Sequence, residues 1–167
     1  MKRHCYMKRI LFTLVLMFAA LGINAQVYKM YKTKNIHNQL RLNTKTGAVD
    51  QIQDDGQKWN IVPSLEVNGS KTNRFELFET RNIWTFILLD SYVGRLWQVQ
   101  DSVKGEEYMC YVPINSKPLI TSKGRRVFTI QPLTSMYQYY LINEDNGAMW
   151  KFQWSTEGPD YRWIEKM

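Results

Sequence analysis

At 167 residues, with a net charge of +7 and two cysteines, the chain has room for one domain with a real hydrophobic core. Residues 1–25 hold four of the 22 basic residues and none of the 15 acidic ones, so the remainder carries only +3. That excess is too small and scattered for a nucleic-acid surface, and a lone Cys110 beyond residue 25 excludes an intrachain disulfide scaffold there.

The first segment reads as an export signal. Lys2, Arg3, Lys8 and Arg9 form a basic start, Ile10 to Leu21 is an apolar run, and Ala25 offers a small residue for cleavage. The run is shorter than the roughly 20 apolar residues of a spanning helix, so no membrane span is expected in the mature chain. Without a cysteine after the run, no lipid anchor is expected either. The expected product is residues 26–167, one all-β domain, secreted or held in the periplasm or cell envelope.

Within it one pattern occurs three times. His37–Gln53, Trp84–Gln100 and Tyr137–Gln153 align without a gap around Gly47, Gly94 and Gly147. A period of this length marks copies of one supersecondary unit, each too small to bury its own apolar face. The units run at about 28–66, 75–115 and 128–167.

Each unit offers four extended segments, rich in β-branched and aromatic residues with apolar positions at period two. The first is Tyr28–Thr33, Phe75–Thr80 or Phe128–Leu133, and the second is Asn38–Asn43, Trp84–Asp90 or Tyr137–Asn143. The third is Ala48–Gln53, Arg95–Gln100 or Ala148–Gln153, and the fourth is Trp59–Val62, Tyr108–Val112 or Tyr161–Ile164. Between second and third lies an Asx residue followed four positions later by the glycine. An Asx side chain bonds its own turn and glycine accepts positive φ, so a tight hairpin is expected. Longer links at 63–74 and 113–127 separate the units, and no long amphipathic helix is visible.

The register also assigns faces. Leu40/Ile87/Tyr140 and Leu42/Leu89/Ile142 are apolar in all copies and are expected to face a shared core. Gln39/Phe86/Tyr139 and Arg41/Leu88/Leu141 are polar only in the first copy, and are expected to be solvated there and covered in the other two. Three units of four antiparallel strands suggest a β-trefoil-like fold, whose closure removes exposed edges. The alternative is a propeller-blade-like arrangement, which with three blades oligomerises or leaves an edge open.

Leu89-Asp90-Ser-Tyr-Val-Gly94-Arg-Leu-Trp97 resembles the Asp-x-x-x-Gly-x-x-Trp turn of quinoprotein-type propeller blades. The resemblance covers about ten residues of the second copy. Asn143 replaces the Asp in the third copy, and Asn43 and Asp50 replace the Asp and the Trp in the first. It implies blade-like local structure and no quinone cofactor. The Gln-x-Trp signature of ricin-type lectins is absent, since Gln153 and Trp154 are adjacent. The whole plan resembles small secreted repeat-built β proteins of Gram-negative bacteria, and that resemblance carries no activity.

The candidate ligand-binding residues are aromatic: Tyr92, Trp97, Trp150 and Trp154. Flat rings on a β surface stack on sugar rings or peptides. Trp97 and Trp150 are equivalents, as are Trp84 and Tyr137, and such pairs also suit a core. Tyr92 and Trp154 have no aromatic counterparts and are the better candidates for exposed contacts. Gln53, Gln100 and Gln153 could ring a polar site or satisfy backbone groups at strand ends. Cys110, in an apolar stretch, reads as a small buried hydrophobe, and Lys123, Arg125 and Arg126 read as a solvated basic loop.

Catalysis finds little support. The mature chain has a single histidine, His37, in a slot that is aromatic in the other copies, and its carboxylates are scattered at turns. No metal-ligand spacing occurs, and no cofactor is expected. Asn68-Gly69-Ser70 is a formal glycosylation sequon. The expected function is an exported non-enzymatic binding module for a glycan or an envelope protein. The alternative is an assembly protein that self-associates through its repeat surface or strand edges, as a homo-oligomer.

Overall fold

Among the described residues, twelve strands make three separate four-stranded antiparallel sheets. The structure is a computed structural model that describes residues 26–65 and 71–167. The expected export segment and the sequon therefore lie outside the described residues. The first unit contains β1 (Tyr28–Lys32), β2 (Asn38–Asn43), β3 (Val49–Gln53) and β4 (Lys58–Val62). The second has β5 (Phe75–Glu79), β6 (Thr85–Asp90), β7 (Arg95–Gln100) and β8 (Cys110–Pro113). The third has β9 (Phe128–Pro132), β10 (Gln138–Asn143), β11 (Met149–Gln153) and β12 (Trp163–Lys166). Each is a meander in which consecutive strands pair.

The hairpin chemistry is as the sequence dictates. Asn43 Oδ1 accepts the backbone N–H of Lys45 and Thr46, Asp90 Oδ1 that of Tyr92, and Asn143 Oδ1 that of Asp145, at 3.0–3.1 Å. Gly47, Gly94 and Gly147 close the turns by donating to the carbonyls of Asn43, Asp90 and Asn143, with φ of +75°, +73° and +72°. The fourth strands of units two and three begin two residues later than their aromatic content suggests. Single 3-10 turns at Glu106–Tyr108 and Pro159–Tyr161 take up Tyr108 and Tyr161 instead.

The units stack in sequence order, with the second between the other two. One core lies between the first and second sheets, where Leu40, Leu42, Val49 and Val62 meet Leu77, Phe86, Leu88, Trp97 and Val99. The other lies between the second and third, where Ile87, Leu89, Leu96 and Ile114 meet Phe128, Ile130, Tyr139, Leu141 and Phe152. Every residue of β6 is buried, because that strand faces a neighbour on both sides. A β-trefoil would pair strands of different units in one barrel around one core. Here every ladder closes inside its own unit and there are two cores, so the arrangement is the blade-like one.

Stacking explains where the face assignment holds. Gln39 and Arg41 lie on the outer side of the first sheet, while Phe86, Leu88, Tyr139 and Leu141 are covered, as expected. Leu40, Leu42, Ile87 and Leu89 are buried because each points at the following unit. Tyr140 and Ile142 occupy the same positions in the third unit, which has no successor, and they are only half-buried.

Repeated polar links accompany the apolar ones. The carbonyl of Thr44 accepts from the N–H groups of Arg74 and Phe75, and that of Ser91 accepts from Val127 and Phe128. The side-chain amide of Gln51 donates to Ser102 O at 2.7 Å and accepts from Ser102 N at 3.0 Å. Its equivalent Gln98 accepts from Ser155 N at 3.2 Å. A buried amide otherwise leaves costly unpaired atoms, so each bond fixes the register between neighbouring sheets.

Candidate functional site

The turn of each unit opposite the glycine hairpin brings the same positions together. Asp54, Asp101 and Trp154 each donate a backbone N–H to the carbonyl of His37, Trp84 or Tyr137, at 3.1, 2.9 and 3.1 Å. His37, Trp84 and Tyr137 are therefore structural equivalents along one end of the stack. They differ in what surrounds them. Tyr137 lies 5.0 Å, centroid to centroid, from the ring of Trp154. His37 is exposed, with Nδ1 3.9 Å from Asp54 Oδ2.

Trp84 borders a cleft with a second aromatic residue. Its backbone is anchored by Asn82, whose Oδ1 accepts the Trp84 N–H at 2.8 Å, and by the bond from Asp101. Its half-buried side chain lines a cleft of about 190 Å³ with Gln100, Asp101, Ser102, Val103, Lys104 and Tyr108. Tyr108 is half exposed at the end of its 3-10 turn, with Lys104 Nζ 5.7 Å from its ring centre. Val103 also borders a second hollow of about 280 Å³, lined by His37, Gln53, Asp54 and Asp55. The two hollows share Val103 at the ends of units one and two.

One residue at the cleft, Asp101, keeps its carboxyl buried. Asp101 is only 1% exposed, and its Oδ2 accepts from Asn35 Nδ2 at 2.7 Å and Asn38 Nδ2 at 3.4 Å. Its Oδ1 is buried with no partner among the described residues. Burial pushes the Asp101 carboxyl above its usual range, and the bonds from Asn38 and Asn35 offset only part of the rise.

The aromatic residues singled out by sequence lie elsewhere. Trp97 is buried in the first core, its ring 6.4 Å from Phe75, and Trp150 is half-buried against Phe128 at 5.7 Å. Trp154 is fully buried, with Nε1 donating to Met136 O at 3.1 Å. Tyr92 is buried beside the guanidinium of Arg74, 5.2 Å away. The expectation of exposed rings at Tyr92 and Trp154 is thus corrected: each fills a gap specific to its own copy.

Other expectations resolve similarly. Gln100 and Gln153 donate to the carbonyls of Tyr108 and Tyr161 at 3.2 and 3.0 Å, so they tie down the 3-10 turns. Cys110 is solvent-accessible on β8, not buried, and the desolvation its thiol does meet raises its pKa. Arg125 and Lys123 are held by Asp145, and Arg126 by Glu76. Tyr108 and Lys104 escaped sequence reasoning, which placed Tyr108 in a strand. The available signal was the link between third and fourth strands, five residues longer in the second unit than in the first.

Among the described residues, no three His, Cys, Asp or Glu side chains come together to hold a metal, and no helix is long and apolar enough to cross a membrane. Comparison of the chain with protein families, with curated proteins and with solved structures finds no match.

Proposed function

We propose that the protein is an exported, non-enzymatic binding module that takes a glycan in the cleft between Trp84 and Tyr108. The carrying observation is that Trp84 and Tyr108 line one cleft together with the amide of Gln100 and the ammonium of Lys104, while Trp97 and Trp154 are locked in cores. A sugar ring has an apolar C–H face and a rim of hydroxyls. Aromatic rings stack on the first, and Gln100 and Lys104 supply polar groups for the second. A cleft of this size holds one or two rings of a longer chain, which suits a surface module reading an extended polymer.

Titration of intrinsic tryptophan fluorescence against a panel of saccharides and cell-wall fragments tests this reading. A concentration-dependent change is expected for at least one saccharide. In Trp84→Ala that change disappears and affinity falls at least about tenfold, the loss of roughly 1.4 kcal/mol expected of a stacking contact. A flat response to every saccharide, or a peptide as the only ligand, would overturn it.

A further inference from the structure

We propose that the uncovered face of the third unit docks the uncovered face of the first unit in a second copy of this chain. The contact repeats, head to tail, the one that joins units one to two and two to three.

Both interior contacts use the same parts. Gly47 and Gly94 sit under the rings of Phe75 and Phe128, the first residues of the following sheets, where an added Cβ would lie 2.9 and 3.0 Å from them. The third unit presents the same receiving surface with no described residue packed on it: a Cβ added at Gly147 would meet nothing within 4 Å among the described residues, and Tyr140 and Ile142 are half-buried on its outer face. The first unit presents the inserting surface. Tyr28 stands at the position of Phe75 and Phe128 and is 50% exposed, and Met30 on the same face is 48% exposed.

The polar clip identifies the occupant. In the interior it runs from the fourth residue after one glycine, Gln51 or Gln98, to the eighth residue after the next, Ser102 or Ser155. On the open faces the matching residues are Lys151 in the third unit and Asp55 in the first. The amide side chain is thus replaced by an ammonium, and the serine whose backbone it meets by an acid, so the two positions carry opposite charges. Glu165, paired with Lys151 across β11 and β12, adds an acid opposite a face on which Arg41 and Lys58 share the single carboxylate of Asp50. Charges complementary in this register select a second copy over an unrelated sheet. Such a contact is heterologous, so it leads to a closed ring or a filament according to the rotation per copy.

Analytical ultracentrifugation of the purified protein and of Lys151→Glu and Asp55→Lys variants tests the inference. Both positions lie outside the two cores, and circular dichroism checks that each variant is folded. The wild type is expected to associate with rising concentration. Each single variant places like charges at the contact, and its association weakens at least about tenfold. An equimolar mixture of K151E and D55K again joins opposite charges at every mixed contact and recovers the association. A wild type that stays monomeric at millimolar concentration, variants that associate as it does, or a mixture no better than its components would each overturn the proposal.

Discussion

Arg74 joins the link after the first unit to the hairpin of the second. Its Nε and Nη2 donate to Asp90 Oδ1 and Oδ2 at 2.9 and 2.7 Å, and its guanidinium lies near the rings of Tyr92 and Phe75. Both charges are almost wholly buried, so each depends on the other. Arg74→Ala should lower unfolding stability by about 3–5 kcal/mol, read as a fall in the urea midpoint, because it strands the Asp90 charge. A change under about 1 kcal/mol would place the pair among weak surface bridges. Tyr92 shows the limit of sequence at this scale. Its uniqueness among the copies was visible, but its partner lies 18 positions away in an irregular link, so exposure was the wrong inference.

Asp101 makes the opposite kind of prediction. Its carboxyl pKa is raised in the folded state by burial, so folding favours the protonated form. The stabilisation from that form is complete below the unfolded value of about 3.9 and is lost as pH rises through the folded value. Asp101→Asn keeps an acceptor for Asn35 and removes the cost of burying a charge. Thermal melts should therefore show D101N gaining on the wild type from pH 3 to pH 7. A constant offset at every pH would contradict the buried-charge account.

At the scale of elements, the hairpins were the most legible feature. Asx at one end and glycine at the other specify the turn from local bonds alone, and all three copies obey. What the local pattern could not show is that two of these glycines also receive the next unit. Gly94→Ala meets both a left-handed backbone and the ring of Phe128 at 3.0 Å, whereas Gly147→Ala meets only the backbone term. The shared term is about 1–2 kcal/mol, and overpacking against Phe128 adds about 1–3 kcal/mol. Chemical denaturation should rank G94A below G147A by that second amount. Equal losses would mean that the hairpin yields without disturbing the interface. The fourth strands were misplaced by two residues because Tyr108 and Tyr161 have strand-like composition, while Gly105 and Gly158 start 3-10 turns just before them.

At the scale of the molecule, repeat count, strand order and the polar outer face of the first unit were all legible. The mode of closure was not, because alternation within a strand is the same whether its apolar face meets a barrel or a neighbouring sheet. One trace did exist: Gln51 and Gln98 recur and Lys151 breaks the series, which marks the place where the stack has no successor. The candidate site was hidden for the same reason. Once Trp97 and Trp154 are packed into the cores, the rings at the cleft come from a residue at a unit's end, Trp84, and from a 3-10 turn, Tyr108.

That division between core and surface rings is tested most directly by NMR of the six tryptophan indole N–H groups while a bound saccharide is titrated. The Trp84 signal should move most, with those of Trp97 and Trp154 nearly still. Largest shifts at Trp97, Trp150 or Trp154 would contradict the placement of the ligand in the Trp84–Tyr108 cleft.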